Sequence, residues 1–168
     1  MADMSTRWLD ADQQRAWRAY LLGTTALMER LDRDLRVMHD LSLPEYEILV
    51  RLSESADGAL RMAELAESVR NSRSRITHTI ARLEREGLVV RRSCASDGRG
   101  VLAHLTDAGR RKLETAAPDH VDSVRTSLID VISSDELAAI GRAFERVAQA
   151  LGPCTPLPEA EQEAVSVA

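Results

Sequence analysis

From Met62 to Thr106 the chain reads MAELAESVRNSRSRITHTIARLEREGLVVRRSCASDGRGVLAHLT, a pattern that few folds accommodate. Met62, Leu65, Ala66 and Val69 fall on one face at helical spacing. A break follows at Arg70–Asn71, where Asn71 or Ser72 can cap a second helix through its side-chain oxygen. That helix extends to about Glu86 with Ile76, Ile80 and Leu83 as its buried stripe, and Gly87 stands where a left-handed C-terminal cap is wanted. Two β-rich runs, Leu88–Arg92 and Val101–Leu105, flank Ser93–Gly100, which is too long for a two-residue turn. The spacing predicts a helix-turn-helix followed by a β-hairpin. In that arrangement the second helix enters a DNA major groove by its N-terminal residues.

The other face of the second helix carries Ser72, Arg73, Ser74, Arg75, Thr77, His78 and Arg82, with no acid between Glu67 and Glu84. A merely solvated face usually mixes acids and bases in i,i+4 pairs. These side chains instead suit base edges and phosphates. At the hairpin tip Arg99 can reach a minor groove. Asp97 either orients that guanidinium through a bidentate pair or forms the turn. The net charge of −5 conceals a division: Arg61–Lys112 holds 12 basic and 6 acidic residues, net +6, so the remainder carries −11. Phosphate affinity follows local charge, so the segregation fits a DNA partner.

The flanks are helical. A stripe of Trp17, Tyr20, Leu21, Thr24, Met28, Leu31, Leu35 and Met38 predicts one helix over 12–40. Such a helix cannot bury its stripe against a small winged helix alone; it needs a second long helix or a second chain. Ser42, Pro44 and Glu45 announce a new helix, and Ser55–Ala59 reads as a loop. Thr106 caps a helix expected to run to about Ile132 with a kink at Pro118. Ser133 and Glu136 open a last one, ended by Gly152-Pro153. The expected organisation is a flexible N-terminus (1–11), a winged helix-turn-helix DNA-binding domain (43–105), helical dimerisation segments (12–40 and 106–151) and a disordered tail (152–168). The fold class is mainly α with a small β-hairpin wing. A two-fold dimer would set its reading helices roughly 34 Å apart on a pseudo-palindromic double-stranded operator.

Leu83–Val89, Asp97-Gly98-Arg99 and Leu105–Gly109, with LPEYEILVRL upstream and Ser133–Leu151 downstream, resemble the multiple-antibiotic-resistance-regulator (MarR) family over most of the chain. The resemblance implies a winged-helix homodimer that represses transcription and releases DNA on binding a small molecule, usually aromatic or phenolic. It places that ligand where the dimerisation helices meet the winged helix, with Trp17, Tyr20, His39 and Tyr46 as candidate contacts. Trp17 and Tyr20 fit a dimer core equally well. One departure stands out: Gly100, Val101 and Leu102 follow the wing motif where further basic residues are common, which leaves Arg99 as the groove-inserting residue.

No catalytic set is present: there is no Gly-rich phosphate loop, Cys-x-x-Cys or His-Glu-x-x-His, so neither an enzyme nor a cofactor is expected. His39, His78, His104 and His120 are scattered; His39 and His120 read as ordinary surface or core histidines, and no metal site is expected. Zinc-sensing family members and a Cys94 thiol beside Arg91 and Arg92 keep a metal- or redox-responsive regulator as an alternative. A winged helix used for protein–protein contact is the other. Cys94 and Cys154 make no disulfide framework, and neither an 18-residue apolar run nor a signal-like N-terminus occurs, so the expected location is cytoplasmic, away from membranes.

Overall fold

The computed structural model describes residues 6–55, 57–68, 73–93 and 100–152, and of residues 67, 68 and 73–75 the backbone only. Side-chain caps fix where the long helices begin, because the first turn of a helix has N–H groups without partners. Asp10 accepts from the Gln13 N–H and opens α1 (Ala11–His39). Ser42 opens α2 (Leu43–Glu54), with Pro44 in its first turn and Glu45 closing a capping box. Thr106 opens α5 (Asp107–Val124), and Ser133 with Glu136 opens α6 (Ser134–Ala150).

Between α2 and α5 lie β1 (Ala59–Arg61), α3 (Met62–Ser68), α4 (Arg73–Arg85), β2 (Val89–Ser93) and β3 (Val101–Leu105). The strands form an antiparallel sheet in the order β1-β3-β2, with Leu60 opposite Ala103 and Val90 opposite His104. The hairpin and both short helices are as the spacing predicts, and Gly87 adopts the left-handed conformation at φ 72°. The strand β1 is an addition. It takes the end of the predicted loop, and three residues are too few for an alternation to show in sequence; β3 supplies the pairing.

At the C-terminal side the predicted single helix differs in detail. The helix α5 continues through Pro118, and its regular pattern gives way only at Arg125–Ile129, a π-helical turn. At the end of α1, Asp40 takes a left-handed conformation (φ 48°) and its N–H returns to the Arg36 and Leu35 carbonyls.

The core lies where α2, α3, α4 and the sheet meet. Leu49 and Leu52 of α2, Leu65 of α3, and Ile76, Ile80 and Leu83 of α4 are fully buried there. Side chains of this size each contribute about 1.5–3 kcal/mol when buried. Leu35 carries α1, and Leu113 and Ala116 carry α5, onto the same core. The helix α6 differs: it buries no residue, and Ile140, Phe144, Val147 and Leu151 stay exposed. No described helix is long and apolar enough to cross a membrane.

Thr106 joins α5 to the end of α4. Its hydroxyl donates to the Gly87 carbonyl (2.8 Å) and accepts from the Gly109 N–H (3.0 Å), while its own N–H donates to the Leu88 carbonyl. This brings the α5 backbone so close that a Cβ on Gly109 would fall 2.1 Å from the Leu88 oxygen. Gly109→Ala should therefore destabilise the fold by about 1–3 kcal/mol through overpacking. Urea or thermal unfolding should show the midpoint falling with the wild-type secondary structure retained.

Candidate nucleic-acid interface

Ile76, Ile80 and Leu83 hold α4 against the core, so its opposite face is turned outward. Thr77 and His78 lie exposed on that face. Arg73 and Ser74 stand one helical turn before them, and Arg75 follows in the same opening turn; all three begin α4, and their side chains lie outside the described residues. No acid occupies the first turn of α4. The expected cap Ser72 also lies outside the described residues, as do the wing residues Asp97 and Arg99 and the thiols of Cys94 and Cys154.

Arg82, expected on the contact face, is held elsewhere. Its Nε lies 2.9 Å from Glu86 Oε1 and 3.1 Å from Glu45 Oε1, and its Nη2 lies 3.6 Å from Asp40 Oδ1. The Glu86 hydrogen bond, followed by the charge of Glu45, strengthens the guanidinium's hold on its proton. Glu45 is a buried carboxylate with 3% of its side chain exposed, and its second oxygen accepts from the Ser42 N–H and hydroxyl, both at 2.7 Å. Arg82 thus ties the reading helix to the α1–α2 corner. Arg91 of β2 is similarly engaged: its guanidinium pairs with Glu84 at 2.6 Å and holds that carboxyl below its ordinary pKa. The i,i+4 spacing of Arg82 and Glu86 is visible in the sequence, but the Glu45 contact is not, because Glu45 is distant in sequence and reads as a helix cap.

The four aromatic-ligand candidates do not form one site. Trp17 and His39 are both on α1, separated along its axis by about 33 Å at helical rise. Trp17 stacks on Tyr20, which packs on Phe144 of α6, with ring centres 5.6 and 5.3 Å apart. His39 Nε2 pairs with Asp119 Oδ2 at 2.8 Å and links α1 to α5. Of the four, Tyr46 lines a cavity of about 300 Å³ whose other lining residues are Met28, Leu31, Leu43, Glu47, Val50, Arg51 and His120. Burial raises the pKa of the Tyr46 phenol.

His120 is the residue that sequence reasoning passed over. Its ring packs on Tyr46 with centres 4.4 Å apart, and its Nδ1 is buried with no hydrogen-bond partner. A clue was present. Leu113, Ala116 and Ser123 are the buried positions of α5, and His120 continues their spacing, four residues after Ala116 and three before Ser123. Burial lowers its pKa, so the imidazole is neutral at physiological pH. Among the described residues, no three His, Cys, Asp or Glu side chains are grouped to hold a metal ion.

Comparison with known proteins adds the family. A MarR family model matches residues 41–101. The transcriptional repressor YetL of Bacillus subtilis is 30% identical over 111 residues, which span 64% of this chain and 66% of YetL. Two Streptomyces coelicolor regulators of the MarR family are each 40% identical. Sco3205, solved in complex with DNA, superposes with a TM-score of 0.86 over 90% of this chain and 94% of its own. AbsC superposes with a TM-score of 0.82 over 87% and 98%. An enzyme function finds no support in this fold or these relatives. With its three-stranded wing sheet, an α4 that has no acid in its first turn, and these relatives, the chain belongs to the MarR family of DNA-binding transcriptional regulators.

Proposed function

We propose that the protein is a homodimeric repressor that reads a pseudo-palindromic operator and releases it when a small aromatic effector occupies the cavity under α2. The observation that carries the DNA part is the outward face of α4: exposed Thr77 and His78, basic residues before them, and no acid in the first turn. Ser72, Arg73, Ser74, Arg75, Thr77 and His78 are assigned to groove and phosphate contacts, and Arg99, oriented by Asp97, to the wing. Sco3205 in complex with DNA and the repressor YetL support this reading.

Dimerisation has its own support. The apolar face of α6, together with half-exposed Trp17 and Tyr20, is too extensive to leave in water on a monomer of this size. A second copy covering that face would complete the packing begun by Tyr20 and Phe144 and space the two reading heads for successive major grooves.

The effector would act through α2, which lines the cavity with Leu43, Tyr46, Glu47, Val50 and Arg51 and grips α4 through Glu45. A ligand that favours one placement of α2 biases the angle of α4, and a shift of the heads out of register removes many phosphate contacts together.

Fluorescence anisotropy with the intergenic DNA beside its own gene should show tight binding that keeps its preference over scrambled DNA as salt rises. Equal loss from both DNAs would sink the operator reading and favour a winged helix used for protein contact. Arg73→Ala should lower the salt slope of binding by about one. Arg82→Gln should weaken binding with the slope unchanged, because that guanidinium acts through Glu45; a lowered slope would make it a phosphate contact. Phe144→Glu should shift sedimentation from dimer to monomer and weaken operator binding at least tenfold; an unchanged dimer would remove α6 from the interface.

A further inference from the structure

We infer that the outward face of the wing sheet is a second DNA contact surface, on which Arg92, with Arg61 across the sheet, binds backbone phosphates without reading bases. The inference deepens the operator reading, on which it rests. Strand register decides which side chains share this face. Val89, Leu60, Ala103 and Leu105 turn inward and join the core. Their neighbours along each strand therefore turn outward: Ala59 and Arg61 of β1, Leu102 and His104 of β3, Val90 and Arg92 of β2. Leu102 stands opposite both Arg61 and Arg92. The two arginines thus flank one leucine, their Cα atoms about 10 Å apart at the usual strand spacing.

No residue of the three strands is acidic. The adjacent arginines of β2 differ accordingly. Arg91, on the inward side, pairs with Glu84 of α4 at 2.6 Å, whereas Arg92, on the outward side, is exposed. Arg61 is half-buried and engaged within the protein, so Arg92 carries the larger share of the contact. A guanidinium whose stem can lie along Leu102 suits a phosphate, which it binds through two parallel N–H bonds.

Shape excludes base reading. Three strands side by side span about 10 Å before their side chains are added, more than the roughly 6 Å minor groove, and the major groove admits a two-stranded ribbon. The face can therefore lie only along the backbone. Continuity names the partner. Arg92 and Leu102 each stand one residue inside the strand ends where the hairpin loop begins, and that loop carries Arg99, the wing residue assigned to DNA.

The test is fluorescence anisotropy of the full-length protein with the intergenic and scrambled duplexes across a salt series. Each phosphate contact adds about 0.9 to the slope of log affinity against log salt. Arg92→Ala should lower that slope by about one and weaken both duplexes by the same factor, and Arg92→Lys should restore most of it. Adding Arg61→Ala should lower the slope further. Arg91→Ala, which removes the same charge from the inward side, should leave the slope unchanged. An unchanged slope in Arg92→Ala, or an equal fall in Arg91→Ala, overturns the outward face as a contact. A loss confined to the intergenic duplex overturns backbone binding in favour of base reading. A wild type without preference for the intergenic duplex sinks the operator reading, yet an equal fall on both duplexes in Arg92→Ala still upholds this surface. A wild type that binds neither duplex overturns both.

Discussion

A carboxylate removed from water is tolerable only when it is both paired and hydrogen-bonded, and Glu45 is both. One oxygen receives the Ser42 N–H and hydroxyl; the other faces Arg82. The first contact fixes where α2 starts, and the second fixes how α4 lies across it. Asp32 of α1 extends the same corner by accepting the Leu43 N–H at 2.8 Å. Three helices of different function are therefore oriented by a few polar contacts around one buried charge. The apolar core beneath supplies most of the attraction but little of the direction, because apolar contacts are not directional.

The helix α2 is the element on which these demands converge. Ile48, Leu49 and Leu52 face the core, Glu45 faces α4, and Leu43, Tyr46 and Val50 face the cavity. With 3.6 residues per turn, twelve residues suffice to serve all three directions. Interiors are close-packed and poorly compressible, so the three faces of α2 are not packed independently of one another.

Much of this was legible in the sequence, and the reasons are local. Apolar spacing gave α1, α2 and α4 to within a residue or two. Caps at Ser42, Thr106 and Ser133 gave the helix starts, and Gly87 gave the end of α4. What stayed hidden depends on distant partners. The strand β1 exists because β3 lies beside it. Besides Glu86 one turn on, Arg82 pairs with a carboxylate 37 positions earlier in the chain. Trp17, Tyr20, His39 and Tyr46 are the candidate ligand contacts that the sequence offers, but the length of α1 separates Trp17 and Tyr20 from His39. His120 reads as an ordinary surface or core histidine because sequence does not show which polar atoms lose their partners on folding.

The placement of the aromatic residues has a spectroscopic consequence. The chain has two tryptophans, Trp8 just ahead of α1 and Trp17 in its N-terminal half, and both rings are exposed. Neither lies on the winged helix or lines the cavity under α2. Indole emission from the native protein is therefore a local reporter of the α1–α6 end, sensitive to whatever covers Trp17, Tyr20 and Phe144. The winged helix carries no indole of its own, so a tryptophan placed in β2 or β3 would report its movements.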